Sequence, residues 1–291
     1  MVKYVLSLDG GGIKGLMTLH FLKELDIYLK RRYGKRIYDI FSLYVGTSVG
    51  AMIAACLACN KNTDEMTDYA DKNIEKTFHR RGLTFPWSNK YLSIGRDEMI
   101  AGILPDISMD KVLRPLLIPV YNITHRRSEV FGNTSISLHK AVQATSAAPS
   151  YFAAVEINNM YYIDGGMACI DPVMCCYSEA KTRWRDEKIK ILSVGTGIFT
   201  HGPTKPSRFW GAYQWIVKGR LVDILLGASG ELGREQLTKL IGNDYLRINS
   251  RLERNIPLDS TDKFDLSYLK LLGVRNFRDF KNDLDRFFDS V

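Results

Sequence analysis

The chain has no apolar run long enough to cross a membrane. Its longest, "AMIAACLAC" from Ala51 to Cys59, is far short of the roughly 20 residues that a spanning helix needs. No basic segment followed by an apolar stretch and small residues opens the sequence, so a secretory signal is not expected. Cysteine is scarce. There are five, an odd number, and Cys175 and Cys176 are adjacent, which suits reduced thiols in a cytosol better than a disulfide framework. Cys56 and Cys59 form a C-x-x-C inside an apolar stretch, with no second pair at metal spacing, and are expected to be packing residues. No EF-hand loop is present, so no motif calls for calcium. There is no internal repeat, low-complexity segment or linker. The sequons at Asn122 and Asn133 carry no weight without a secretory signal. The expected location is cytoplasmic, with any membrane contact peripheral. No metal and no cofactor is implied.

Basic residues outnumber acidic ones, 40 to 32, giving a net charge of +8. That balance points to an anionic partner: nucleic acid, an anionic lipid surface or a phosphorylated substrate. The basic clusters are Lys23, Lys30, Arg31, Arg32, Lys35 and Arg36, and then His79, Arg80 and Arg81. Neither is interleaved with aromatics as a nucleic-acid stripe would be, so nucleic acid is not expected. With 45% hydrophobic residues in 291, the chain can build one large core or two small ones.

The pattern alternates. "KYVLSL" reads as a strand buried on both faces. After a glycine turn, Leu16, Leu19, Leu22, Leu25 and Leu29 recur at helical spacing. "IFSLYV" reads as a second strand ending at Gly46, and "VGAMIAACLAC" as a second helix. Ser137 is placed to cap a helix that stops before Pro149. "AVEINNMYYID" reads as a hairpin turning at Asn158-Asn159 and running into Asp164, and "IKILSVGTG" as another buried strand. The expected fold is α/β: a three-layer sandwich with a mainly parallel central sheet and helices on both faces. The chain, 1–291, is expected to form a single domain with a mainly helical part from about residue 205.

Three stretches can carry chemistry. Gly10-Gly11-Gly12-Ile13-Lys14-Gly15 matches G-x-G-x-x-G between a strand and a helix, a dinucleotide-binding pattern. Against that reading, Asp9 would face the pyrophosphate, and no acidic residue ends a second strand about 20 residues on. No G-K-[ST] follows, which excludes a P-loop. Glycine amides at a helix N-terminus also suit a developing oxyanion. Next, Gly46-Thr47-Ser48-Val49-Gly50 matches G-x-S-x-G between strand and helix, as a nucleophile elbow requires; the alternative is a tight turn with a capping serine. Finally, Asp164-Gly165-Gly166 ends the hairpin and reads either as a strand-end base or as a simple turn.

Taken together, these stretches resemble the patatin-like phospholipase family, serine lipid acyl hydrolases of an α/β sandwich. The matching segments are "DGGGIKG" (Asp9–Gly15), "GTSVG" (Gly46–Gly50), "ATSAAPSYF" (Ala144–Phe152) and "DGG" (Asp164–Gly166), with weaker echoes in "ILSVGTG" and "NDYLRI". The resemblance implies a Ser–Asp dyad: Ser48 as nucleophile, Asp164 as base, and the amides of Gly10, Gly11 and Gly12 as oxyanion hole. Lys14 stands where the family often has Arg or Lys, bracing the loop. It implies cleavage of acyl esters of glycerolipids, without a cofactor; the positive charge is expected to help a peripheral, reversible contact with an anionic membrane surface. Two departures stand out: Ala51 follows Gly50 where a second glycine is common, and Asp171-Pro172 replaces the usual Asn-Pro.

A triad Ser48…Asp164…His201 is the alternative order; His20, His79, His125 and His139 have no motif around them. "SRFWGAYQWIVKGRL" (Ser207–Leu221) has an aromatic face suited to a lipid surface or to a core, and "LTFPWSNKYL" (Leu83–Leu92) reads as a flap or a packed loop. The rival functions are a nucleotide-binding α/β protein and a lipid-binding protein without turnover.

Overall fold

The computed structural model describes residues 1–80, 88–199, 211, 221–289 and 291. Its strands are β1 (Val2–Leu8), β2 (Phe41–Gly46), β3 (Leu116–Asn122), β4 (Arg127–Phe131), β5 (Val155–Ile157), β6 (Met160–Ile163), β7 (Lys188–Val194) and β8 (Tyr245–Ile248). They form one sheet in the order β5-β6-β3-β2-β1-β7-β8, with β4 also paired to β3. The run β3-β2-β1-β7-β8 is parallel, while β4, β5 and β6 are antiparallel additions. The helices are α1 (Gly15–Tyr33), α2 (Ile37–Ile40), α3 (Val49–Ala58), α4 (Thr63–Asn73), α5 (Ile94–Ile103), α6 (Leu138–Thr145), α7 (Val173–Arg183), α8 (Leu221–Ile241), α9 (Lys263–Asp279) and α10 (Lys281–Phe287).

Successive strand residues point to opposite faces, and each face has its own core. Leu6 and Leu8 of β1 and Leu192 and Val194 of β7 join the leucine stripe of α1 in the larger core. Val5, Leu43, Val45 and Ile191 meet Val173, Cys176 and Ala180 of α7 and Leu237 of α8 on the other face. Three layers result, with β1 and its neighbours buried on both sides, as their unbroken apolar runs require. The α1 stripe ends at Gly34, whose φ of 69° is the left-handed stop of a helix.

The hairpin turns where expected: Asn158 and Asn159 take φ of 51° and 61°, a two-residue turn that matches strand twist. Ser137 caps α6, its Oγ accepting the Lys140 N–H at 3.5 Å. The stretch from about 205 holds one strand as well as helices: β8 adds to the sheet in parallel beside β7. His201, residues 207–210 and 212–220, and residues 83–87 lie outside the described residues. The rest of the aromatic segment packs: Tyr91 is buried and its ring centroid stands 5.3 Å from that of Phe78. Among the described residues no helix is long and apolar enough to cross a membrane.

Candidate active site

β2 ends at Gly46 and α3 begins at Val49, so Ser48 sits on the turn between them. Its φ of 54° and ψ of −122° are costly for a residue with a Cβ, and persist only where neighbours fix them. Four contacts do so. The Thr47 N–H donates to Leu8 O at 3.2 Å, and the Gly50 N–H to Thr47 O at 2.8 Å. The Ser48 N–H donates to Thr145 Oγ1 at 3.1 Å, and that hydroxyl donates on to Pro119 O at 2.6 Å. Gly50 is required by closeness, because a Cβ there would stand 2.4 Å from Leu8 O. Gly46 faces the Gly50 carbonyl just as tightly.

The glycine loop leaves β1 at Asp9 and passes through a 3-10 turn, Gly12–Lys14, into α1. A Cβ on Gly10 would lie 3.4 Å from the Ser48 Cβ, so the loop runs against the elbow. The Gly10 amide is nevertheless engaged: it donates to Ile170 O at 2.9 Å. This revises the set of three donors expected from the sequence, since a backbone N–H that closes the loop to the segment after Asp164 is not free for substrate. Among the described residues, the amides of Gly11 and Gly12 have no such partner, and both residues line the cleft. Gly12 has φ of 57°, and a Cβ there would fall 2.2 Å from Leu258 O. Lys14 closes the 3-10 turn through its amide to Gly11 O, 3.2 Å away, and is not part of the cleft wall. Gly15 lets α1 start against Val49 at the head of α3.

Asp164 follows β6. Its N–H donates to Ala147 O at 3.0 Å, and its Oδ1 accepts the Gly166 N–H at 2.6 Å. Gly165 packs tightly on the Pro119 carbonyl. Burial pushes the Asp164 carboxyl up to about 6; the Gly166 amide, the Ser48 hydroxyl beside it and the Arg96 charge pull the other way. A carboxyl so placed is ionised near neutrality yet more basic than a free aspartate, which suits proton transfer.

Gly11, Gly12, Ser48 and Asp164 all open onto one cleft of about 880 Å³, including its part open to solvent. Its wall is mostly apolar, with Val49, Met52, Phe78, Met99, Ile100 and Phe152. An apolar wall of this kind suits an acyl chain. No histidine is among the described residues that line it; His20, for one, faces Asp71 at 3.5 Å instead.

The family model described as patatin-like phospholipase matches residues 6–174, more than half of the chain. The chain belongs to the patatin-like phospholipase family. Its relatives include the cGAMP-activated phospholipase of Pseudomonas aeruginosa, 28% identical over 299 residues that cover 96% of this chain and 86% of that protein. Another is the calcium-independent phospholipase A2-gamma of Homo sapiens, 25% identical over 303 residues, covering 93% of this chain and 38% of that protein. Among solved structures, VipD from Legionella pneumophila matches with a TM-score of 0.48 and 16% identity, covering 98% of this chain and 67% of that one. As a family member the protein is a lipid acyl hydrolase.

Behind the site this patatin-like hydrolase carries a buried charge cluster that the sequence did not announce. Asp9 and Asp171, both buried, meet Arg247 of β8, and Asp171 also meets Arg234 of α8 at 3.2 Å. Asp171 is the residue that stands in place of the usual asparagine, and its second oxygen accepts the Val173 N–H that begins α7. The faint signal was the "NDYLRI" echo, where one arginine interrupts a short apolar run.

Proposed function

We propose that Ser48 and Asp164 form a catalytic dyad that cleaves fatty acyl esters of glycerophospholipids. Asp164 takes the Ser48 Oγ proton as the oxygen attacks the ester carbonyl. The tetrahedral oxyanion sits against the Gly11 and Gly12 amides, at the positive end of α1. Collapse expels the glycerol alkoxide, which takes the proton from Asp164 and leaves an acyl-serine. Asp164 then removes a proton from water, the resulting nucleophile attacks the acyl-serine, and fatty acid leaves while Ser48 regains its proton. Residues 1–291 act as one unit in this reading. The net charge of +8 supports peripheral contact with an anionic membrane surface.

The observation that carries the proposal is the convergence on one apolar cleft of a strained serine, a buried carboxyl with a raised pKa and two open glycine amides. The test compares wild type with Ser48→Ala and Asp164→Asn on a short-chain nitrophenyl ester and on mixed phospholipid vesicles, with and without a calcium chelator. Loss of turnover in both variants, with chelated wild type still active, is the expected result. Ser48→Ala turning over as fast as wild type would overturn the reading.

A further inference from the structure

The cleft holds one charged residue the hydrolytic steps do not use. Arg96, on α5, is the one cation among the described residues that line it, and its side chain is only 6% exposed. Its Nε donates to Asp97 Oδ1 at 2.9 Å, and its Nη2 lies 2.9 Å from the same oxygen as an ion pair. Its guanidinium carbon stands 5.1 Å from the centroid of the Phe152 ring, itself part of the cleft wall. Its Nη1 is buried with no hydrogen-bond partner among the described residues. An arginine nitrogen left without an acceptor in apolar surroundings is costly, and such a donor awaits an anion.

We propose that Arg96 is the residue that reads the phosphodiester of the bound lipid. This rests on the hydrolase reading above and adds a specificity determinant to it. With an ester carbonyl at Ser48, a glycerophospholipid's phosphate lies one glycerol unit away, and its acyl chain is uncharged. The phosphodiester is the one anion that every such substrate brings. A guanidinium presents fixed, parallel N–H donors that match phosphate oxygens, and Asp97 fixes its opposite edge so that orientation is set before binding. Phe152 covers the guanidinium face, keeping water from it until the headgroup arrives.

Two measurements test this. The first is the ratio of kcat/KM for a phosphatidylglycerol to that for the diacylglycerol with the same chains, in mixed micelles, for wild type, Arg96→Lys and Arg96→Gln. Arg96→Gln is expected to lower that ratio about 10- to 100-fold, the range for losing a hydrogen bond to a charged group, with Arg96→Lys between the two. An unchanged ratio, with both substrates losing rate together and the pH profile displaced, would overturn the proposal and assign Arg96 to tuning Asp164. The second needs no turnover: binding of hexadecylphosphocholine and of hexadecylglycerol to wild type and to Arg96→Gln. Tighter binding of the phosphodiester, and loss of that preference in Arg96→Gln, is expected; equal binding by wild type would overturn the assignment. Absence of turnover on both lipids with this preference intact would instead refute the hydrolase reading alone.

Discussion

Arg247 grips Asp9 with both arms of its guanidinium: Nη1 stands 2.8 Å from Oδ1, and Nη2 meets Oδ2. The same Nη1 donates to Ser193 Oγ at 2.6 Å and lies 3.4 Å from Asp171. Asp9 begins the glycine loop, and Asp171 ends the segment that follows Asp164. One side chain on β8 therefore ties together the two loops that carry the oxyanion donors and the carboxyl.

Arg247→Met should be severely destabilising. It strands the buried Asp9 carboxylate and leaves Asp171 with Arg234 alone, and breaking a buried ion pair by removing one partner costs about 3–5 kcal/mol. Arg247→Lys keeps the charge but not the fork, and should fall between. Chemical denaturation of the three proteins checks the order; a Met variant as stable as wild type would mean that the cluster is not held by charge pairing.

The pH dependence of turnover follows from Asp164. Its carboxyl, raised by burial from 3.8 to about 6, must be ionised to take the serine proton. Activity on an uncharged nitrophenyl ester should therefore climb through about pH 6 and level off above it. Removing a general base typically costs ~10²–10⁴ in rate, so Asp164→Asn should be slower by that order and lack the rise near pH 6. A stopped-flow or plate assay between pH 4 and 9 reads both.

The parts of the site that depend on neighbours in sequence were legible. The glycine loop, the G-x-S-x-G elbow and the Asn158-Asn159 hairpin each need a backbone geometry that few residues permit, so their residue types give them away. The leucine stripe of α1 was legible for a related reason, since a helix packed on a sheet must be apolar at one spacing. What escaped depends on partners far along the chain. β8 is four residues long and carries an arginine, and only burial against Asp9, 238 positions away, makes that arginine compatible with a strand. Gly10 looks like a third oxyanion donor until the Ile170 carbonyl is seen to occupy its amide. Arg96 has ordinary surroundings in sequence, and only the fold brings it to the cleft; Thr145 lies in the matching segment Ala144–Phe152, but only the fold shows its bond to the elbow.

Thr145 offers a test of that elbow. Thr145→Val keeps the shape but removes both the acceptor for the Ser48 amide and the donor to Pro119 O. Two buried polar groups then lack partners, at about 1–3 kcal/mol each before relaxation. The strained Ser48 backbone loses one of its restraints, so kcat should fall while KM changes little. Thr145→Ser, which keeps the hydroxyl, should restore most of the rate. Steady-state kinetics on the nitrophenyl ester distinguishes this from a simple loss of folded protein.

Asp164 should also reveal itself in stability, with a sign opposite to that of an ordinary paired carboxylate. In the folded protein it holds its proton up to about pH 6, whereas the unfolded chain releases it near 3.8. Between those values the folded state binds more protons than the unfolded one, so stability falls as pH rises through the window. The contribution is fully present below about 3.8 and lost above about 6. A rise from 3.8 to about 6 corresponds to a penalty on the order of 3 kcal/mol at neutral pH. Asn cannot ionise, and its oxygen still accepts the Gly166 N–H. Asp164→Asn should therefore exceed wild type in stability at pH 8, and its advantage should shrink steadily as the pH is lowered to 4. Denaturation midpoints taken across that range decide the matter. A difference that stays constant with pH would show that the carboxyl does not carry a burial penalty, and with it would go the physical reason for its basicity in the dyad.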